Sequence, residues 1–341
     1  MRNKVTRRDM LAGAARAGTV LAGTVLAGMA ALPRPFGGGT AFAQDYPTRP
    51  VRVIVPYPPA GGADTVSRLL FQKLSDMWGQ QFVIDNRGGA GGTIGEAAAA
   101  KADPDGYTIL YDATAFSVNP SLYPKLSFDY AKDFQPVFLA SLVPNLFIVH
   151  PSVKAQTVAD VIALAKASPD GLDFASSGNG TLQHLCLELF RYMTGTRINH
   201  IPYRGGGLAL NDLIGGQIKF FFSNGASSIG HVQSGAVRAI AHTGKGRLAT
   251  LPDLPAMAET LPGFEAYEWN GVFVPTATPP DLVAKLNAGL NATLRQPDII
   301  ARLRTLNVEF RENTPEEFRA FVAAETERWG RVVREANIRL G

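Results

Sequence analysis

Short β-branched runs that stop at Pro or Gly and give way to helical spacing recur along this chain. That alternation restricts it to an α/β architecture. Val51-Arg-Val-Ile-Val55 is halted by Pro56, Pro58 and Pro59, after which Val66, Leu69, Leu70 and Leu74 share one helical face. Further strands are predicted at 82–84, 107–111, 146–149, 172–175, 199–202, 218–222, 237–241 and 271–274. Helices are predicted at 97–102, 158–167, 181–193, 280–294 and 315–336, with two more after Gly207 and Ser227. In the last helix Phe318, Phe321, Val322, Trp329, Val332, Val333 and Ala336 form one apolar stripe that should dock on a core. A chain of 341 residues, 46% hydrophobic, can support two such α/β units. The chain is expected to cross between them at 142–151 and 267–275, where extended apolar residues mix with Pro or Gly.

The overall charge of +4 is a property of the N-terminal segment. Residues 1–43 carry Arg2, Lys4, Arg7, Arg8, Arg16 and Arg34 against Asp9, so the remainder sums to −1. A general nucleic-acid surface is therefore disfavoured. The same segment reads as an export signal: a charged start, an Ala/Gly/Leu/Val stretch from 17 to 32, and Ala41-Phe-Ala43 at a cleavage site. Thr6-Arg-Arg-Asp-Met-Leu11 resembles a twin-arginine signal. The apolar stretch is shorter than the ~20 residues of a membrane span. The single cysteine, Cys186, excludes an internal disulfide and lies between Leu185 and Leu187, the setting of an inert buried thiol.

Three Gly-rich turns sit where a strand should pass into a helix: Pro58-Pro-Ala-Gly-Gly-Ala-Asp64, Asn86-Arg-Gly-Gly-Ala-Gly-Gly-Thr93 and Ser176-Ser-Gly-Asn-Gly-Thr181. Such turns aim unpaired amides at one spot, and the helix adds partial positive charge there. The chemistry this suits is capture of a small anion by backbone N–H groups. None has the spacing of a nucleoside-triphosphate loop or a dinucleotide fingerprint. A hydrolase using Ser177 and His184 is the rival reading, but Ser177 lacks the Gly-x-Ser-x-Gly elbow. His150, His200, His231 and His242 lack metal-ligand spacing.

The run from Tyr46 through Pro56-Tyr-Pro-Pro-Ala-Gly-Gly-Ala-Asp64 resembles the opening of the Bug-type extracytoplasmic solute receptors of tripartite tricarboxylate transport systems. The likeness continues in Asp85-Asn-Arg-Gly-Gly-Ala-Gly-Gly-Thr-Ile-Gly95, Pro104-Asp-Gly-Tyr-Thr-Ile-Leu110 and Asn119-Pro-Ser-Leu-Tyr123. Ala175-Ser-Ser-Gly-Asn-Gly-Thr181 with His184, Pro202-Tyr-Arg-Gly205, Asp212-Leu-Ile-Gly-Gly-Gln217, Leu251-Pro-Asp-Leu-Pro255 and Trp269-Asn-Gly271 extend it over the mature chain. Ala60 and Gly88 stand where the family often has Gly and Pro, and Asp112-Ala-Thr-Ala-Phe-Ser-Val118 departs from its pattern.

The resemblance implies a type II periplasmic binding protein: two α/β lobes, a hinge and a ligand cleft between them. Residues 44–143 and 272–341 would form lobe 1, and 144–271 lobe 2. It implies a non-enzymatic periplasmic receptor, monomeric and without cofactor or metal, that passes a small organic acid to integral-membrane permease subunits. Carried over, the expected ligand contacts are Tyr57, Ala60, Gly61, Gly62, Ala90, Gly91, Gly92, Thr93 and Thr114 from the first lobe. Ser176, Ser177, Gly178, Thr181, His184, Tyr203 and Arg204 would come from the second. A ligand sensor without a permease is the alternative within the same fold.

Overall fold

The computed structural model describes residues 46–123, 125–335 and 338–339. The expected export signal and its cleavage site lie outside the described residues. The strands are β1 (Val51–Val55), β2 (Phe82–Asn86), β3 (Thr108–Ala113), β4 (Phe134–Val149), β5 (Leu172–Ser176), β6 (Ile198–Pro202), β7 (Phe220–Asn224), β8 (Arg238–His242) and β9 (Tyr267–Pro275). They follow one path, β2-β1-β3-β9-β4-β7-β5-β6, with β8 also paired to β4.

The path divides into two halves. β1 pairs in parallel with β2 and β3, and β3 pairs antiparallel with β9. In the other half β5 pairs in parallel with β6 and β7. Val51, Val53, Ile54 and Val55 of β1 are all buried, the pattern of a central parallel strand covered on both faces. The helix Gly62–Trp78 returns the chain from β1 to β2 and buries Val66, Leu70, Phe71 and Leu74. It ends at Gly79, whose left-handed backbone (φ 68°) lets its N–H reach the Ser75 carbonyl. In the second half Phe190, on the helix Leu182–Thr194, packs with Phe147, Phe174 and Phe222 as a set of neighbouring rings.

β4 belongs to both halves. From Phe134 to Pro144 it pairs with β9, and from Asn145 onward with β7 and β8. The pairing with β9 slips between Pro136 and Phe138 and again between Leu139 and Ser141, and such irregularities bend and twist a strand. Sequence reading places only 146–149 and 271–274 in strands here. The earlier part of β4 escapes it because the residues from Pro136 to Ser141 are all buried, so both faces are covered and the sequence carries no alternation. Three helices also escape it: Ala115–Leu122, which contains Pro120, the single turn Tyr130–Asp133, and Pro297–Thr305, which starts on a proline.

The C-terminal helix Pro315–Glu335 lies across both halves. Phe318 packs against Trp269 and Phe273 of β9, at ring-centroid distances of 5.9 and 5.1 Å. Trp329 and Val333 join the core of the second half with Phe147 and Phe222. Phe318 fits because residue 271 is glycine: a β-carbon there would lie 2.0 Å from its ring. Cys186 is buried, and burial pushes its thiol up to about 12, as expected of an inert core thiol. Among the described residues no helix is long and apolar enough to cross a membrane.

Candidate functional site

β1, β3, β5, β6 and β7 end close together, and the five helices that follow them all begin at one inner cavity of about 40 Å³. The cavity is lined by Gly61, Gly62 and Ala63, by Thr114 and Ala115, by Thr181, Leu182 and Gln183, by Gly205 and Gly206, and by Asn224 with Ser227. These are the starts of helices Gly62–Trp78, Ala115–Leu122, Leu182–Thr194, Gly206–Ile214 and Gly225–Gln233. The first turn of a helix leaves N–H groups without intrahelical partners, and the aligned peptides add partial positive charge. Crevices at the carboxyl ends of parallel strands are where α/β sheets bind ligands. Among the described residues no Lys or Arg lines this cavity.

Two side chains give the cavity its polarity. Asn224 is buried, and its Oδ1 accepts the Ala226 N–H at 2.9 Å. Its Nδ2 makes no full hydrogen bond among the described residues but faces the Glu268 carboxyl and favours its charged form. Glu268, on β9, is 7% exposed and accepts from Gln183 Nε2 at 2.5 Å. Burial pushes its carboxyl above the ordinary range.

The two halves meet around this point. A β-carbon on Gly205, whose φ is +141°, would lie 2.2 Å from Pro58 Cγ. Outside the cavity lies a cleft of about 700 Å³, lined by Tyr57, Pro58, the turn Gly88 to Gly92, Ser177, Gly178, Thr181, Tyr203 and Arg204. Tyr57, Pro58, Ser177 and Thr181 line both spaces, so the cleft is the mouth of the cavity.

The sixteen expected contacts therefore separate. Tyr57, Gly61, Gly62, Thr114, Ser177 and Thr181 line the cavity. Ala90, Gly91, Gly92, Gly178, Tyr203 and Arg204 line only the mouth. Ala60 faces a different groove, shared with Gly207 and Leu208. Thr93, Ser176 and His184 line none of these spaces and act on the turns instead. Thr93 Oγ1 donates to the Ala90 carbonyl (2.9 Å), and Ser176 Oγ accepts the Gly178 N–H at 3.1 Å. His184 Nδ1 accepts the Gly180 N–H at 3.2 Å, and its ring stacks on His200 at 4.2 Å. Burial pushes the His184 imidazole down to about 3, so it is neutral and acts as an acceptor. Ser177 and His184 share no hydrogen bond; the neighbouring Ser176 instead lies 2.6 Å from His200 Nε2.

Beneath the cavity sits a buried acid pair. Asp112 Oδ1 accepts from Tyr57 Oη (2.8 Å) and from the Ala113 N–H (2.7 Å). Glu96 accepts from Tyr130 Oη, and Asn119 Nδ2 links Glu96 to the Gly91 carbonyl at 3.0 Å. Burial pushes Asp112 up to about 6, and burial with the nearby Asp112 charge holds Glu96 well above the usual carboxylate range. The pair ties Tyr57 and the Gly91 turn to the same support.

Sequence reading misses Gln183, Asn224, Ser227 and Glu268. Ser223-Asn-Gly-Ala-Ser-Ser228 has the small, turn-forming character of the other strand-to-helix junctions and was the available signal for Asn224. Glu268 has no local signal, because it lies inside a strand between Tyr267 and Trp269.

Residues 66–338 match the family described as the tripartite tricarboxylate transporter family receptor. BugT of Bordetella pertussis is 37% identical over 301 residues, which cover 87% of this chain and 92% of that protein. An R. palustris protein solved with adipate aligns with a TM-score of 0.84 at 36% identity, over 86% of this chain and 99% of its own. The periplasmic binding protein BugD aligns with a TM-score of 0.83 at 34% identity, over 86% and 99%. This chain belongs to the tripartite tricarboxylate transporter receptor family and has the two-lobed α/β fold of a periplasmic binding protein.

Proposed function

We propose that this protein is a periplasmic receptor that captures a small organic carboxylate between its lobes and delivers it to an integral-membrane permease of the tripartite tricarboxylate type. The observation that carries this reading is the convergence of five helix starts on one cavity that no Lys or Arg lines among the described residues. A carboxylate loses hydration when buried and needs hydrogen-bond donors in return. A helix start contributes about 0.3–1 kcal/mol to an anion, more where partly buried. A few charge-assisted hydrogen bonds at about 1.5–3 kcal/mol each then reach the roughly −8 kcal/mol of micromolar binding. The adipate found with the R. palustris relative is an acid of this class.

In this reading Gly61, Gly62, Thr114, Ser177 and Thr181 contact the ligand, and the mouth residues Ala90 to Gly92, Gly178, Tyr203 and Arg204 close over it. Lobe 1 comprises 44–143 and 272–341, lobe 2 comprises 144–271, and they rotate about β4 and β9. The mature protein is a monomer without enzymatic activity. A thermal-shift screen over dicarboxylates, aromatic acids, amino acids and their amides tests the reading, followed by calorimetry on each hit. A ligand at about 100 times its dissociation constant stabilises by roughly 2.7 kcal/mol, well within reach of a melt. A screen in which no acid moves the melt, or turnover of a generic ester, would count against it.

A further inference from the structure

The cavity offers a ligand both kinds of hydrogen-bonding group. Helix-start amides offer donors, and Asn224 Nδ2, buried and making no full hydrogen bond among the described residues, adds one beside Glu268. Glu268 offers an acceptor on the same cavity wall. Gln183 Nε2 donates to it at 2.5 Å and fixes its orientation. No Arg, Lys or His pairs with Glu268 among the described residues, although Arg68, Arg87 and Arg191 each pair with an acid elsewhere. A plain dicarboxylate bound on this wall would bring a second negative charge close to Glu268. An ammonium or carboxamide would instead place N–H groups against it and keep every polar atom satisfied.

Resting on the receptor reading above, we propose that Glu268 sets the specificity of this site: it selects acids that carry an N–H donor beside the carboxylate and rejects plain dicarboxylates. The helix starts and Asn224 hold the ligand carboxylate. Glu268, oriented by Gln183, accepts from the ligand nitrogen.

Calorimetry with matched probes at neutral pH tests this. Succinamate is compared with succinate, and γ-aminobutyrate with glutarate, on the native protein and on Glu268→Gln. In the native protein the nitrogen-bearing member of each pair should bind at least about tenfold more tightly. Glu268→Gln keeps an acceptor for Gln183 but removes the charge, so it should narrow that preference at least about fivefold, mainly through tighter binding of succinate and glutarate. Native protein that binds succinate or glutarate as tightly as its partner probe overturns the role of Glu268 and leaves the carboxylate receptor standing. A folded Glu268→Gln variant with an unmoved ranking overturns it as well. If no probe of either kind binds while another acid moves the melt, the specificity falls and the receptor reading stands; if no acid of any class moves it, both fall. Should the variant not fold, the native ranking alone decides.

Discussion

A β-carbon added to Gly62 would lie 2.2 Å from Cγ of Asn224, so the first helix of one half meets the end of β7 in the other with no room for a side chain. One residue earlier, a β-carbon on Gly61 would have only the Pro58 carbonyl oxygen near it, at 3.9 Å. Gly62→Ala is therefore expected to hold the halves apart and weaken binding at least about tenfold, roughly 1.4 kcal/mol. Gly61→Ala should bind within about threefold of the native protein. Both should melt near the native temperature, since each lies at a helix start with an allowed backbone. Calorimetry on the pair checks this, and equal affinities would show that the Gly62 contact does not govern closure.

Arg68 and Arg87, the cations nearest the Gly-rich turns in sequence, are already engaged. Arg68 pairs with Asp64 at 2.9 Å, and Arg87 with Asp85 at 2.8 Å. Neither lines the cavity or its mouth. Arg87→Gln and Arg68→Gln should each change ligand affinity by less than about threefold, as partly exposed ion pairs contribute little. Loss of binding in either would mean that a side-chain cation holds the ligand.

Asp112 gives a pH dependence of stability. Burial raises its carboxyl from the ordinary 3.8 to about 6, so between those values the folded protein holds a proton that the unfolded chain has released. Stability from this group is complete at low pH and declines as pH rises through that window. Asn at 112 can still accept from Tyr57 and Ala113. Asp112→Asn should therefore melt at least about 2 °C above the native protein at pH 7.5, with the gap closing towards pH 4. Melting curves at the two pH values decide, and a variant less stable at both would contradict the assignment.

Phe318 is fully buried against Trp269, Phe273 and the bare Cα of Gly271. Phe318→Ala should cost about 3–5 kcal/mol in denaturant unfolding, the range for a buried ring replaced by a cavity. A loss below about 1 kcal/mol would mean that the last helix is not part of the cooperative core.

The export reading is checked at the N terminus. Mature protein recovered from the periplasm should begin at Gln44 or within a few residues of it, because Ala41-Phe-Ala43 supplies the small residues a signal peptidase needs. Met1 on the mature protein would refute it.

The α/β alternation, most strand positions and the Gly-rich strand-to-helix junctions at 58–64 and 176–181 were legible in the residues alone. Each is encoded locally: β-branched runs, helical spacing and Gly-rich junctions act over a few neighbours. Only the tertiary structure made β4 a single strand common to both halves, because burial on both faces erases the alternation that marks a strand. Only it brought Asn224 and Glu268, 44 positions apart, to one cavity with Gly62 and Gln183. Local pattern names which turns can present amides. Which five of them converge, and which buried carboxylate faces them, depends on strand order and register, set by contacts between residues far apart in the chain.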